Sequence, residues 1–79
     1  MQKGSKRLRD IVVCNIKYYR EQAKISQEDL SLKLGKKKDF IEKLEDKGMY
    51  RRFLTVVLLD DIARILKVPT ARFFDKTLS

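Results

Sequence analysis

The sequence predicts a small all-α fold, and three observations support that prediction. The chain has 79 residues with only one Pro and three Gly, fewer than the many turns of a β-rich domain need. Its apolar residues recur at three- and four-residue spacings, as in helices, and no segment alternates apolar and polar residues like a half-buried strand. The 43% hydrophobic and 38% charged residues suit a folded chain rather than a disordered one. We therefore expect a single helical domain over 7–79, preceded by a flexible basic arm over 1–6.

The first three predicted helices occupy the N-terminal half of this domain. The first runs from about Arg7 to Ala23, since apolar residues recur there at helical spacing. Ser26 is a typical N-cap for a short second helix, and Gly35 is a typical residue just beyond a helix end. After a tight turn, a third helix is predicted over about 38–46. Two short helices joined by such a Gly-containing turn form a helix-turn-helix unit.

Two further helices are predicted after a longer connection. Thr55 is expected to cap the fourth helix, and Pro69 with Thr70 to begin a short fifth helix. The fifth helix carries Phe73 and Phe74. The inner face of the fourth helix is predicted to consist of Val56, Leu59, Ile62, Ala63 and Leu66.

The charge indicates the class of partner. Nineteen Lys and Arg residues against eleven Asp and Glu residues give a formal net charge of +8, which favours a polyanionic partner. Part of this charge is concentrated around the predicted turn between the second and third helices, where Lys33, Lys36, Lys37 and Lys38 occur within six residues. The alternative is a solvated surface that serves only solubility. In a helix-turn-helix unit the second helix enters the major groove, and basic residues beside it can meet phosphates.

Several other functions are not expected from this composition. With no His and one Cys, the chain has neither an internal disulfide nor a Cys/His zinc cluster, and it offers little from which to build an active site. We expect no enzymatic activity, no cofactor and no small-molecule ligand. No apolar run reaches the roughly 18 residues of a membrane span, so we also expect no membrane partner and a cytoplasmic, nucleoid-associated location.

The order and spacing of several motifs resemble the phage repressor and Cro type of helix-turn-helix family, over roughly residues 12–75. The motifs are Ile16-Lys17-x-x-Arg20, Ile25-Ser26-Gln27-Glu28-Asp29-Leu30, Leu34-Gly35, Ile41-x-x-Leu44-Glu45, Ile62-Ala63-x-x-Leu66-x-Val68-Pro69 and Phe73-Phe74-Asp75. The resemblance implies a compact five-helix lambda-repressor-like domain with helices 2 and 3 as the helix-turn-helix. It also implies a transcriptional regulator, a repressor or controller, that binds double-stranded DNA at an inverted-repeat operator.

The chain departs from the family pattern at several positions. Ser31 stands where the family usually has Ala, and Lys36 stands where an apolar or small residue is usual. Lys47 occupies the position expected for a Gly, which follows one residue later as Gly48. The loop into the fourth helix is about three residues longer than usual.

The resemblance implies base contacts by the third helix. Helical spacing turns Ile41 and Leu44 inward and leaves the opposite face available to DNA. Lysine can donate to guanine O6 and N7, a carboxylate can accept from cytosine N4, and an aromatic ring can touch a thymine methyl group. The predicted base-contacting residues are Lys38, Asp39, Phe40, Glu42 and Lys43.

Two of these assignments have a purely structural alternative. Asp39 and Lys43 are four residues apart and could simply stabilise a surface helix as an ion pair. Phe40 could pack against Lys36 or against the neighbouring loop instead of contacting DNA.

The resemblance also implies backbone contacts and one internal ion pair. In the family, the residue matching Gln27 holds a phosphate with help from helix N-terminal amides. In the family, the pair matching Arg20 and Glu45 forms a partly buried ion pair between the first and third helices. The alternative for this chain is that Arg20 and Glu45 are two unconnected surface charges. The predicted phosphate-contacting residues are Gln27, Lys36, Lys37, Arg20, Arg51 and Arg52.

Specificity on DNA favours two copies of such a module. A two-fold dimer reads two half-sites about 34 Å apart. We expect the interface at the C-terminal segment, through Phe73, Phe74 and Leu78, although these residues could instead pack within one subunit. A different function on the same fold is a protein-binding module of the antitoxin or antirepressor type, which the carboxylates of Asp39 and Glu42 favour.

Overall fold

The computed structural model describes residues 7–76, and every regular element within that range is helical. The predicted arm over 1–6 and the predicted interface residue Leu78 lie outside the described residues. Four α-helices and two 3-10 helices follow one another along the chain. They are α1 (Leu8–Gln22), α2 (Gln27–Lys33), α3 (Phe40–Asp46), a 3-10 helix (Arg51–Phe53), α4 (Val56–Leu66) and a second 3-10 helix (Thr70–Phe74). The prediction of a small all-α fold is confirmed, while the predicted fifth helix is a 3-10 helix.

Side-chain caps fix where two of the helices begin. The Ser26 hydroxyl accepts a hydrogen bond from the Asp29 backbone N–H at 2.9 Å, at the start of α2. The Thr55 hydroxyl accepts from the Leu58 N–H at 3.2 Å, at the start of α4. Each bond satisfies one of the N–H groups that a helix start leaves unpaired, so both predicted caps are confirmed.

Gly35 ends α2 in the way that the sequence predicts. Its φ of +74° lies in the left-handed region, which glycine adopts without steric cost. The Gly35 N–H donates to the Leu32 carbonyl at 2.9 Å, and the Lys36 N–H donates to the Ser31 carbonyl at 3.0 Å. This pair of bonds is the Schellman pattern of a helix end. It turns the chain sharply, so that α3 can pack back against α2.

The third helix begins at Phe40, so the predicted start at residue 38 is two residues too early. Lys38 and Asp39 instead form a turn that leads into the helix, and the Phe40 N–H donates to the Lys37 carbonyl at 3.0 Å. Asp39 has φ −100° and ψ 9°, which lie outside the helical range. The first outward side chains are therefore presented by the turn and not by the helix itself.

The core lies where the four α-helices and the second 3-10 helix meet. α1 packs on α3, α4 and that 3-10 helix, and α2 packs on α3 and α4. Fully buried apolar side chains come from every one of these elements, namely Ile16, Leu30, Ile41, Leu44, Ile62 and Phe73. On α4, Leu59, Ile62, Ala63 and Leu66 are buried as predicted. The prediction for Val56 is wrong, since the first turn of α4 buries Leu58 and leaves Val56 72% exposed.

Asn15 attaches the C-terminal segment to α1. Its side chain is fully buried, and its amide nitrogen donates to the carbonyls of Phe73 at 2.7 Å and Asp75 at 2.8 Å. These bonds satisfy carbonyls that a short 3-10 helix leaves without intrahelical partners. They hold the segment so that Phe73 fills the core.

Candidate nucleic-acid interface

A buried serine joins α2 to α3. The Ser31 hydroxyl donates to the Gln27 carbonyl within α2 at 2.8 Å and accepts from the Ile41 backbone N–H at 2.9 Å. Ile41 lies in the first turn of α3, where N–H groups lack intrahelical partners, so Ser31 acts as a cap supplied by the neighbouring helix. Asp39, at the cap position itself, makes no side-chain cap hydrogen bond.

The predicted ion pair between Arg20 and Glu45 is present and buried. Arg20 Nε donates to Glu45 Oε2 and Arg20 Nη2 donates to Glu45 Oε1, each at 2.9 Å. The two side chains are 8% and 0% exposed. Arg20 Nη1 also donates to the Ile25 carbonyl at 2.8 Å, and the hydrogen bonds that Arg20 donates to Glu45 are the main reason that the pKa of Arg20 is raised. Since its guanidinium is buried and hydrogen-bonded, we assign Arg20 to positioning α3 and not to a phosphate.

Gln27 extends this network at the start of α2. Its amide nitrogen donates to Glu45 Oε1 at 2.9 Å and to Asp46 Oδ2 at 3.1 Å. The side chain therefore completes the hydrogen bonding of a buried carboxylate and links α2 to the end of α3. Both amide protons are used within the protein, so the predicted phosphate contact would require Gln27 to exchange one of these partners.

The outward face of α3 carries the predicted base-contacting charges. Asp39 Oδ2 and Lys43 Nζ are 3.1 Å apart, with side chains 41% and 36% exposed. Their hydrogen bond is the largest cause of the lowered pKa of Asp39 and of the raised pKa of Lys43. Glu42 and Lys38 are also exposed, and neither forms an ion pair within residues 7–76. The structure thus brings these four residues together around the start of α3.

Phe40 packs within an aromatic cluster at one edge of α3. Its ring stacks on Tyr50 with a centroid distance of 5.2 Å and an interplanar angle of 16°. The Lys36 ammonium lies 5.5 Å from the Phe40 ring centroid, and the ring centroids of Phe53 and Tyr50 are 6.3 Å apart. The predicted packing alternative for Phe40 is therefore present. Sequence reasoning missed the part played by Tyr50, which reaches this position with a left-handed φ of +64°.

The remaining predicted phosphate-contacting residues differ in their surroundings. Lys36, Lys37 and Arg52 are exposed. Arg51 forms an ion pair with Asp10 of α1 and donates from Nε to the Leu44 carbonyl of α3 at 3.4 Å. Arg51 thus ties the connection after α3 to α1, an internal contact that the sequence analysis did not anticipate.

Only part of the predicted dimer surface is available. The prediction that Phe73 contributes to a dimer interface is wrong, because its side chain has no exposed surface and fills the core. Phe74, the next residue, is 41% exposed. It lines a shallow cavity together with Leu8 and Val56, which are 55% and 72% exposed.

Other kinds of site are not found in the part of the chain that the structure describes. Residues 7–76 contain no group of three or more His, Cys, Asp or Glu side chains that could hold a metal ion. No helix in this range has the length and apolar character needed to cross a membrane.

In comparisons with known proteins, the chain matches no family model, no curated protein and no solved structure.

Proposed function

We propose that this protein is a sequence-specific regulator of transcription that binds double-stranded DNA. In this proposal α2 and α3 form a helix-turn-helix of the phage repressor and Cro type, within a lambda-repressor-like domain. α3 lies in the major groove, where an α-helix fits and base edges are distinguishable. A homodimer binds an inverted repeat, and we expect it to act as a repressor or controller.

The observation that carries the proposal is the contrast between the two sides of α3. Its inner side is fixed to α1 by the Arg20–Glu45 pair and to α2 by Ser31. Its outer side presents hydrogen-bonding side chains of both kinds, the carboxylate of Asp39 and the ammonium of Lys43. A rigid helix with exposed donors and acceptors is what direct reading of base edges requires.

The charge around α3 supports binding to a polyanion. Exposed lysines precede α3, at position 33 in the last turn of α2 and at positions 36, 37 and 38 in the turn that follows. Arg52 is exposed in the connection that follows the helix. Phosphate contacts on both sides of a reading helix fix its register on the duplex without reading sequence. We therefore assign backbone contacts to Lys36, Lys37 and Arg52.

A dimer on an inverted repeat accounts for the exposed apolar surface near the C-terminal segment. Leu8, Val56 and Phe74 are large apolar side chains that lie together and remain exposed in one chain. Grouped exposed apolar side chains mark interaction sites more often than scattered ones do. We assign the interface to this group, with Phe74 retained from the sequence prediction.

Selection of bound duplexes from a random library, at about 150 mM salt, tests the proposal. We expect an enriched inverted repeat whose half-sites are about 34 Å apart centre to centre, which is one helical turn. A variant with both Lys36 and Lys37 changed to Ala should enrich the same motif with lower affinity. Binding without any enriched motif would contradict a sequence-specific regulator.

A second candidate function is a protein-binding module on the same fold. The observation that favours it is the exposed carboxylate of Glu42, which has no ion pair within residues 7–76 and would face phosphates in the groove. If Glu42 serves a protein partner, Glu42→Lys should abolish that interaction and should strengthen non-specific DNA binding. Under the DNA-binding proposal, Glu42→Lys should instead change the enriched motif.

A further inference from the structure

One preformed pair of opposite charges lies at the centre of the outward face of α3. At 100° per residue, Lys43 is turned about 200° from the buried Ile41, and Asp39, in the turn before the helix, contacts Lys43 at 3.1 Å. We propose that Asp39 and Lys43 act as one unit that recognises a single C·G base pair in the major groove. This inference rests on the proposed DNA-binding function and names part of the sequence that the protein reads.

The geometry of the pair matches the edge of a C·G base pair. Cytosine N4 is a donor and guanine O6 an acceptor, and they lie about 2.9 Å apart because a Watson–Crick hydrogen bond joins them. Asp39 Oδ2 is an acceptor and Lys43 Nζ a donor, and they lie 3.1 Å apart. Placed edge to edge, the carboxylate accepts the free N4 proton and the ammonium donates to O6 while keeping its bond to Asp39.

The same arrangement discriminates against an A·T base pair. Adenine N6 and thymine O4 also form an adjacent donor and acceptor, so the first two contacts could be made. Beyond O6, however, the C·G pair offers a second acceptor, guanine N7, whereas beyond O4 the thymine carries its methyl group. The Lys43 ammonium has three donors, so it gains two base acceptors on C·G and meets an apolar group on A·T. In a reversed G·C pair, the guanine O6 acceptor would face the Asp39 carboxylate and the cytosine N4 donor would face the Lys43 ammonium, so neither hydrogen bond could form.

Two features of the structure leave this pair free for a ligand. Asp39 stands at the cap position of α3, yet its carboxylate makes no cap hydrogen bond, because the Ser31 hydroxyl caps Ile41 from α2. Lys43 also neutralises the Asp39 carboxylate, which reduces the repulsion that an isolated acid would meet near phosphates. The pair is thus already oriented before binding, and little side-chain order remains to be lost.

Duplex selection with Asp39→Asn and Lys43→Gln, alongside the unaltered protein, tests the inference. We expect the unaltered protein to enrich C·G at one position of each half-site. Asp39→Asn should shift that position towards A·T, because asparagine pairs with adenine N6 and N7. Lys43→Gln should lower the preference for C·G there by about tenfold. The double variant should lose little more than either single variant, since each change breaks the same unit.

The control is Glu28→Gln, which removes an exposed carboxylate of α2 that forms no ion pair within residues 7–76 and is assigned no DNA contact. It should leave the C·G preference at that position unchanged, and circular dichroism should show that all variants keep their helices. If the unaltered protein enriches a motif that both variants retain, the inference is overturned while the proposed function stands. Independent losses at two different positions would likewise overturn recognition by one unit. If no motif is enriched at all, the proposed function fails and the inference fails with it.

Discussion

The two sides of α3 carry ion pairs of similar chemistry in opposite surroundings. On the inner side, Arg20 and Glu45 form two hydrogen bonds of 2.9 Å, with side chains 8% and 0% exposed. On the outer side, Asp39 and Lys43 form one contact of 3.1 Å, with side chains 41% and 36% exposed. The difference teaches that burial decides what an ion pair can do. A buried pair can only position the helix, whereas an exposed pair can also exchange partners with a ligand.

The physical basis of this difference is the solvent. A buried charge that loses its partner is left in a medium that hardly solvates it, so the inner pair has to remain intact in the folded protein. Exposed charges are solvated with or without a partner, and their pairing contributes little to stability. Replacing one residue on each side of α3 therefore measures the contrast directly.

The largest effect is expected for Glu45→Ala. This change removes both hydrogen-bonded oxygens from the buried Arg20 guanidinium, leaves it only the exposed Glu21 carboxylate at 3.9 Å, and removes one partner of Gln27. Breaking a buried pair in this way destabilises a protein by about 3–5 kcal/mol, which should be measured as a lower free energy of unfolding in urea. DNA affinity should fall further than the unfolded fraction explains, because α3 is no longer held against α1.

The matched control is Glu42→Ala, which removes an exposed carboxylate from the same helix. Its free energy of unfolding should stay close to that of the unaltered protein, as for most surface substitutions. Equal losses in the two variants would show that the Arg20–Glu45 pair does not anchor the helix.

The next largest effect is expected for Ser31→Ala. Without the hydroxyl, the buried Ile41 N–H loses its acceptor, and an unsatisfied buried donor costs about 1–3 kcal/mol. Urea unfolding measures this loss, and hydrogen exchange of the Ile41 amide locates it at the start of α3. Ser26→Ala provides the comparison, because its hydroxyl caps α2 at an exposed site. If the Ile41 amide exchanges no faster in Ser31→Ala, the serine does not act as the cap of α3.

The sequence predicts the helices well because their signals are local. The caps at Ser26 and Thr55, the left-handed Gly35 and the helical spacing each depend on neighbouring residues, and the structure has all of them. The Arg20–Glu45 pair joins distant residues, and the family resemblance supplied it. The other long-range contacts, such as Ser31 with Ile41 and Asn15 with Phe73, are indicated neither by local sequence signals nor by the resemblance.

The contacts that the sequence does not predict depend on tertiary packing. Ser31 departs from the family pattern in the sequence alone, but its cap on Ile41 forms only when α2 and α3 are packed together. The burial of Phe73 beside the exposed Phe74 depends on Asn15, which holds the 3-10 helix in one orientation on α1. Helical spacing alone cannot show which side of the five-residue 3-10 helix is buried.

A smaller effect, visible only in DNA binding, is expected for Lys37→Ala. Lys37 is exposed in the turn before α3 and is assigned to a phosphate. Removing one phosphate contact should reduce the slope of log affinity against log salt by about 0.9, equally on all sequences. Arg72→Ala, an exposed side chain in the 3-10 helix that packs on α1 and α4, should leave the slope unchanged. A change in the preferred sequence of Lys37→Ala would show that Lys37 reads bases instead.

The smallest effect concerns the titration of Asp39, and it tests the outer pair without DNA. The hydrogen bond from Lys43 is the main cause of the lowered pKa of Asp39, and Lys37 is the least of the named causes. Lys43→Met should therefore raise the pKa of Asp39 towards its ordinary value, measured by NMR titration of the carboxyl group. Lys37→Met should raise it less.

The same titration fixes the sign of the pH dependence. A carboxyl whose pKa is lowered by folding stabilises the protein above the pKa of the unfolded chain, and this contribution is lost as pH falls through the lower folded value. Lys43→Met should remove this loss of stability at low pH, while the Arg20–Glu45 pair still holds α3 in place. If the pKa of Asp39 is unchanged in Lys43→Met, the outer pair is not formed in solution. The outward face of α3 would then present two independent charges, and the contrast with the inner pair would rest on burial alone.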